Sequence, residues 1–192
     1  MVQFEIDDLG CACSEYQDKA FRNLGRKRIQ CDEIWSFIYA KEKNCTREHK
    51  TKGVGDTWTW VALDPDSKLV PRWFIGQRHA CCAYHFLSDL QERLAHRVQL
   101  TTDGRGAYLH AVDQVFGTEM DYAQLQKIYG TAPEHPRVRY SPAICMGARR
   151  AVISGNPDHN HISTSHIERQ NLTMRMSMRR FHSVDQCVLE KG

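Results

Sequence analysis

Much of what would simplify a reading of this 192-residue chain is missing from it. No apolar run approaches the ~18 residues that a membrane-crossing helix needs. The first residues, MVQFEIDDLG, carry acids where a secretion signal carries bases, and no apolar stretch follows them. A cytoplasmic protein is therefore expected. There is no internal repeat and no low-complexity tract. Proline is scarce, six in all. Cysteine is not scarce, at eight, but its spacing lacks the pattern of a zinc half-site or a disulfide framework. Cys11/Cys13 and Cys81/Cys82 are too close for a CxxC pair, and Cys31, Cys45, Cys145 and Cys187 stand alone. All read as reduced thiols, several of them filling core. The net charge of +3 is too small to name a partner by itself.

The charge distribution says more. From Arg137 to Arg180 there are eight arginines, no lysine, and only Asp158 and Glu168 against them. Arginine-rich chain suits phosphate contacts, and equally suits a solvated basic face. The length suffices for one well-cored domain.

Hydrophobic periodicity orders the chain. Residues 9–24 form a modest helix. Residues 28–39 (RIQCDEIWSFIY) read as a buried strand, interrupted by Asp32 and Glu33. Residues 57–63 (TWTWVAL) make a second strand, with Trp58 and Trp60 on one face and Val61 and Leu63 on the other. Asp64-Pro65-Asp66-Ser67 is a turn. Residues 69–75 make a third strand that Pro71 directs to an edge. Residues 80–94 are helical, with Ala83, Phe86, Leu87, Leu90 and Leu94 in one stripe. A fourth strand, 97–102, ends at Asp103-Gly104, and a helix follows over 106–116. Between 117 and 160 the pattern weakens. Four of the six prolines lie there, and the segment reads as a loop-rich insertion, inside which a short fifth strand of the sheet would have to lie at a place the pattern does not mark. A last helix spans about 164–181, with Ile167, Met174, Met178 and Phe181 toward the sheet. Three strands in a meander, then helix, strand and helix, indicate an α/β domain with a mixed sheet flanked by helices, the order of the ribonuclease H-like fold.

Three acids occupy positions that folding alone does not demand. Asp32 lies within an apolar strand, where a lone carboxylate must be paired, protonated or metal-bound. Glu33 should point to the opposite face, leaving one of the two for any given site. Asp103 closes the fourth strand, and ligands of α/β sheets commonly bind beyond such carboxyl ends. An Asp there is also a common helix N-cap. Glu168 sits on the last helix, in a stripe with Asn171, Leu172, Arg175 and Arg179. A surface Glu beside arginines would be unremarkable. Together the three acids match what divalent-cation chemistry needs, carboxylates from separate elements converging on one point. Mg2+ or Mn2+, as a pair of ions, would then activate water or a 3′-hydroxyl for in-line phosphodiester displacement. Arg169, Arg175 and Arg179 would lie near DNA phosphates. His159, His161 and His166 form a weaker candidate for a transition metal. Trp58, Trp60 and Trp73 could stack bases, but strand tryptophans more often pack a sheet face.

Four ordered blocks, RIQCDEIWSFIYAKEKN, WTWVALDPDSKLVPRWFIGQR, TTDGRGAYLHAV and HISTSHIERQNLTMRMSMRRF, resemble the DDE domain of bacterial insertion-sequence transposases, of the insertion sequence one type. The segment DYAQLQKIYG followed by RYSPAICMGA resembles the longer-spaced branch of that family. The resemblance implies a ribonuclease H-like domain over 28–181, preceded by a remnant or linker helix (1–27) and followed by a divergent tail (182–192). It implies metal-dependent cleavage of DNA at transposon ends and strand transfer to target DNA by a homo-oligomer. Asp32, Asp103 and Glu168 would be both the catalytic residues and the metal ligands. Asn171 and Arg175 would contact DNA alongside Arg169 and Arg179. The family's upstream DNA-recognition segment has no counterpart here, and HSVDQCVLEKG replaces its further helix, so truncation at both ends is expected. That leaves two other readings open: a non-catalytic DNA-binding or regulatory fragment, and a nuclease of the same fold.

Overall fold

The strand that carries Asp32, β1 (Arg28–Ile38), runs through the middle of a six-stranded sheet in the computed structural model, which describes residues 2–48, 53–130 and 145–178. The other strands are β2 (Gly55–Leu63), β3 (Arg72–Gly76), β4 (Gln99–Asp103), β5 (Asp121–Tyr129) and β6 (Cys145–Ser154). Their order is β3-β2-β1-β4-β5-β6. The first three form the expected antiparallel meander, with β3 at the edge. Strand β3 begins at Arg72, immediately after Pro71, which has no N–H to give a ladder. Strand β4 lies parallel to β1, and β5 parallel to β4. The sheet is therefore mixed and the domain α/β. No described helix is long and apolar enough to cross a membrane.

Side-chain alternation along β1 and β2 builds two cores. Ile29, Cys31, Trp60 and Ala62 face helices α2 (Ala80–Arg93) and α3 (Gly106–Phe116), meeting Ala83, Phe86, Leu87, Leu90, Tyr108, Ala111 and Val112. Ile34, Val61 and Leu63 face the last helix, α4 (Ser165–Ser177), through Ile167 and Met174. Trp60 is fully buried against Phe86 and Tyr108, and Trp58 packs at the rim of the same core. Trp73 is 39% exposed, its indole N–H given to Gln17 of α1 (Val2–Ala20), which begins earlier than the expected helix. Among the described cysteines, Cys31 is buried and none is bridged.

Two expectations need correction. Residues 131–144 lie outside the described residues, but the rest of the segment 117–160 is not loop-rich. It holds β5 and β6, which extend the sheet as an antiparallel pair. Only the first half of β5 is buried, and β6 is exposed along almost its whole length. A strand with solvent on both faces has no reason to alternate polar and apolar residues, so the period-2 signal is absent. Helix α4 ends at Ser177, and Met178, 48% exposed, caps it rather than packing on the sheet. Phe181, Arg179 and the 182–192 tail lie outside the described residues.

Candidate metal centre

Strands β1 and β4 run parallel, and their last paired residues are Cys31 and Thr102. One residue further along each strand stand Asp32 and Asp103, side by side at the carboxyl edge of the sheet. Asp103 is not a helix N-cap: Arg105 occupies that place ahead of α3. The Asp103 carboxylate accepts instead from the Arg105 backbone N–H (3.3 Å) and guanidinium (3.0 Å). Gly104 lets β5 pass closely, because a Cβ there would stand 2.7 Å from Gln126 Cγ.

Glu33 joins them, contrary to the expectation that alternation would keep it apart. Backbone alternation holds: Asp32 faces α4, where Asn171 Nδ2 donates to its Oδ2 at 2.8 Å, and Glu33 faces the opposite side. Near the end of the paired strands the difference in face no longer separates their tips. Carboxylate oxygens of Asp32, Glu33 and Asp103 all lie within 4.8 Å of one another. The Glu33 side chain is 0% exposed. Its Oε2 accepts from Arg78 Nε (3.0 Å) and Nη2 (2.7 Å), with Arg105 Nε at 3.6 Å. Its Oε1 is buried with no hydrogen-bond partner. Arg78 also lies over the Trp58 ring, 5.8 Å from its centroid. The sequence signal for Glu33 was its adjacency to Asp32 in an apolar strand; the arginines that hold it come from distant elements.

Crowding of carboxylates has an electrostatic consequence. Burial, reinforced by the charges of Glu33 and Asp103, pushes Asp32 up to about 6. Burial and Glu33 also raise Asp103, against the opposing pull of Arg105. Both shifts disfavour the charged form, as expected where acids are gathered without a full set of cations.

Glu168 lines the same open cavity, of about 520 Å³, as Asp32 and Asp103. It is not part of the three-carboxylate cluster. Thr164 Oγ1 donates to its Oε1, and Lys127 Nζ lies 2.6 Å from its Oε2. Both partners of that ion pair are about a third exposed, at 35% and 36%. Such a pair is worth only ~0–1 kcal/mol, so an arriving cation can draw Glu168 away from it. The other expected residues divide. Asn171 is buried, 6% exposed, and spends its amide on Asp32 rather than facing outward to DNA. Arg169 is exposed and Arg175 half-buried. The three histidines do not converge: His161 contacts Arg28 and lies 3.6 Å from Asp158, whereas His166 Nδ1 meets Lys68 Nζ at 2.8 Å.

The donor set fits a hard divalent cation. It offers carboxylate oxygens from two strands, one of them a buried, unpartnered oxygen, beside a cavity a phosphate could enter. A scan against known protein families finds no match to this chain. A search of curated proteins likewise finds none.

Proposed function

We propose that this chain is the ribonuclease H-like catalytic domain of a DNA transposase, performing metal-dependent strand cleavage and strand transfer. The observation that carries the reading is the meeting of Asp32, Glu33 and Asp103 at the carboxyl edge of two parallel strands, in a cavity that Glu168 also lines. The sheet order, a meander followed by parallel strands, is consistent with that fold. So is the placing of the acids on the central strand, its parallel neighbour and the last helix.

In this reading Asp32, Asp103 and Glu168 hold Mg2+ or Mn2+, with Glu33 as a further oxygen donor. Such cations polarise the scissile phosphate and lower the pKa of an attacking water or 3′-hydroxyl. Asn171 orients the Asp32 carboxylate. Arg78 holds the Glu33 carboxylate in place. Arg78, Arg105 and Lys127 line the cavity, where they meet the negative charge of a DNA strand. Arg150 on exposed β6 pairs with Leu125, which lines that cavity, and exposed Arg169 follows Glu168 in the chain. The chain works as a homo-oligomer, because joining requires two DNA ends to be held together.

The test is nicking of supercoiled plasmid in Mn2+, with transfer of a labelled oligonucleotide to the plasmid as the second readout. Nicking with transfer is the expected result. Nicking without transfer would instead identify a nuclease. One observation favours a non-catalytic DNA-binding fragment, the Lys127 ammonium that neutralises Glu168. DNA binding without nicking in either Mg2+ or Mn2+ would establish that alternative.

A further inference from the structure

Immediately after Arg78 the chain turns into α2 through His79, its N-cap, followed by Ala80, Cys81 and Cys82. Too close for a CxxC half-site, the two cysteines acquire a third companion when the chain folds. His79 Nδ1 lies 3.8 Å from Cys81 Sγ and 3.9 Å from Cys82 Sγ. All three ligand atoms fall within 4.8 Å of one another. In a tetrahedral zinc site, metal–sulfur bonds of ~2.3 Å and metal–nitrogen bonds of ~2.0–2.1 Å put nitrogen and sulfur roughly 3.6 Å apart. The observed separations exceed that by a few tenths of an ångström. The cysteines are unbridged, Cys81 is exposed, and Cys82 is partly buried beside Phe74. Gly76 makes room for this arrangement, since a Cβ there would stand 3.1 Å from Cys82 Sγ and 2.6 Å from the Phe74 ring.

We propose that His79, Cys81 and Cys82 form a second metal site, specific for a thiophilic cation such as Zn2+, with its fourth position open to solvent. Two thiolates and an imidazole are soft donors, whereas the acidic cluster offers only hard oxygens, so the two sites sort cations by chemistry. Binding releases the thiol protons and leaves two Zn–S bonds and one Zn–N bond, with no change of oxidation state. The site lies one residue from Arg78, the arginine that holds Glu33. A cation here therefore fixes the start of α2 beside the acidic cluster.

Co2+ is the probe, added to the reduced full chain with Mg2+ in excess to occupy oxygen sites. One equivalent of Co2+ should develop a thiolate-to-cobalt charge-transfer band, and Zn2+ should abolish it. Cys81→Ser removes a side chain outside the core, so it should leave the fold intact and eliminate the band. Cys11→Ser with Cys13→Ser should leave the band unchanged. His79→Gln should weaken Co2+ binding by more than the ~10–100-fold that loss of a supporting group costs. No charge-transfer band in the wild type, or one that survives Cys81→Ser combined with Cys82→Ser, overturns the proposal. These outcomes are independent of DNA nicking.

Discussion

Two kinds of acidic region in this molecule use the same side chains in opposite ways. Where α1 meets α2, Asp18 and Asp89 lie among Arg22, Arg72 and Arg93. Asp18 is held below its ordinary value, chiefly by its hydrogen bond from Arg22. Near the amino end of β5, Asp121 is likewise lowered, first by the hydrogen bond from Arg97. At the carboxyl edge of the sheet, burial drives Asp32 and Asp103 upward. Acids that tie elements together are matched by guanidinium groups. The acids clustered at the sheet edge are left short of positive charge. The direction of the shift thus separates Asp18 and Asp121 from Asp32 and Asp103, where residue type does not.

The largest expected effect sharpens that contrast. Asp103→Asn should lower Mn2+-dependent nicking by more than about a hundredfold, beyond the 10–100-fold usual for groups that only support a ligand. Asp121→Asn, on the scaffold side, should leave nicking within about threefold once stability is matched. Nicking by Asp103→Asn at the wild-type rate would break the comparison.

Next is Arg78→Ala, which strands the Glu33 carboxylate with only the more distant Arg105 beside it. Removing one partner of a buried pair typically costs about 3–5 kcal/mol, readable by urea unfolding. A loss below about 1 kcal/mol would mean that Glu33 does not depend on the guanidinium.

The pH dependence of the metal-free protein gives the third test. Asp32 has an ordinary value of 3.8 and a folded value of about 6. Between these the folded state holds a proton that the unfolded chain has released. Its contribution is therefore fully present below 3.8 and lost as pH rises through about 6. The loss is on the order of 3 kcal/mol, since one pKa unit is worth ~1.4 kcal/mol. Asp32→Asn should accordingly stabilise the metal-free protein at pH 7 by about 1–3 kcal/mol while removing metal binding. A destabilising Asp32→Asn at that pH would contradict the electrostatic account. The smallest effect belongs to Lys127→Ala. It breaks a partly exposed pair worth ~0–1 kcal/mol and frees Glu168, so it should tighten Mn2+ binding by no more than about fivefold.

Much of this arrangement was legible in the sequence. Strands β1, β2 and β4 and helices α2 and α3 declare themselves because each has one face or both in a core. Asp32 and Asp103 stood out because their surroundings are apolar or end a strand. The β5–β6 pair was not legible, since an exposed edge strand has no periodicity to read. Glu33 was missed for a geometric reason. Alternation predicts faces, but near the end of the paired strands two tips on opposite faces can meet around the edge. Asn171 was assigned to the outer surface because helical spacing groups it with Glu168 and Arg175, whereas the fold turns its amide onto Asp32.

The central claim is that the acids at the sheet edge form one divalent-cation site. Its most direct test is Mn2+ titration of thermal stability for the wild type, Asp32→Asn, Asp103→Asn and Glu168→Gln. At a hundredfold excess over the dissociation constant, the wild type should gain about 2.7 kcal/mol. Asp32→Asn and Asp103→Asn should gain almost nothing, and Glu168→Gln an intermediate amount. A wild type that does not respond to Mn2+, or variants that respond as strongly as it does, would contradict the claim.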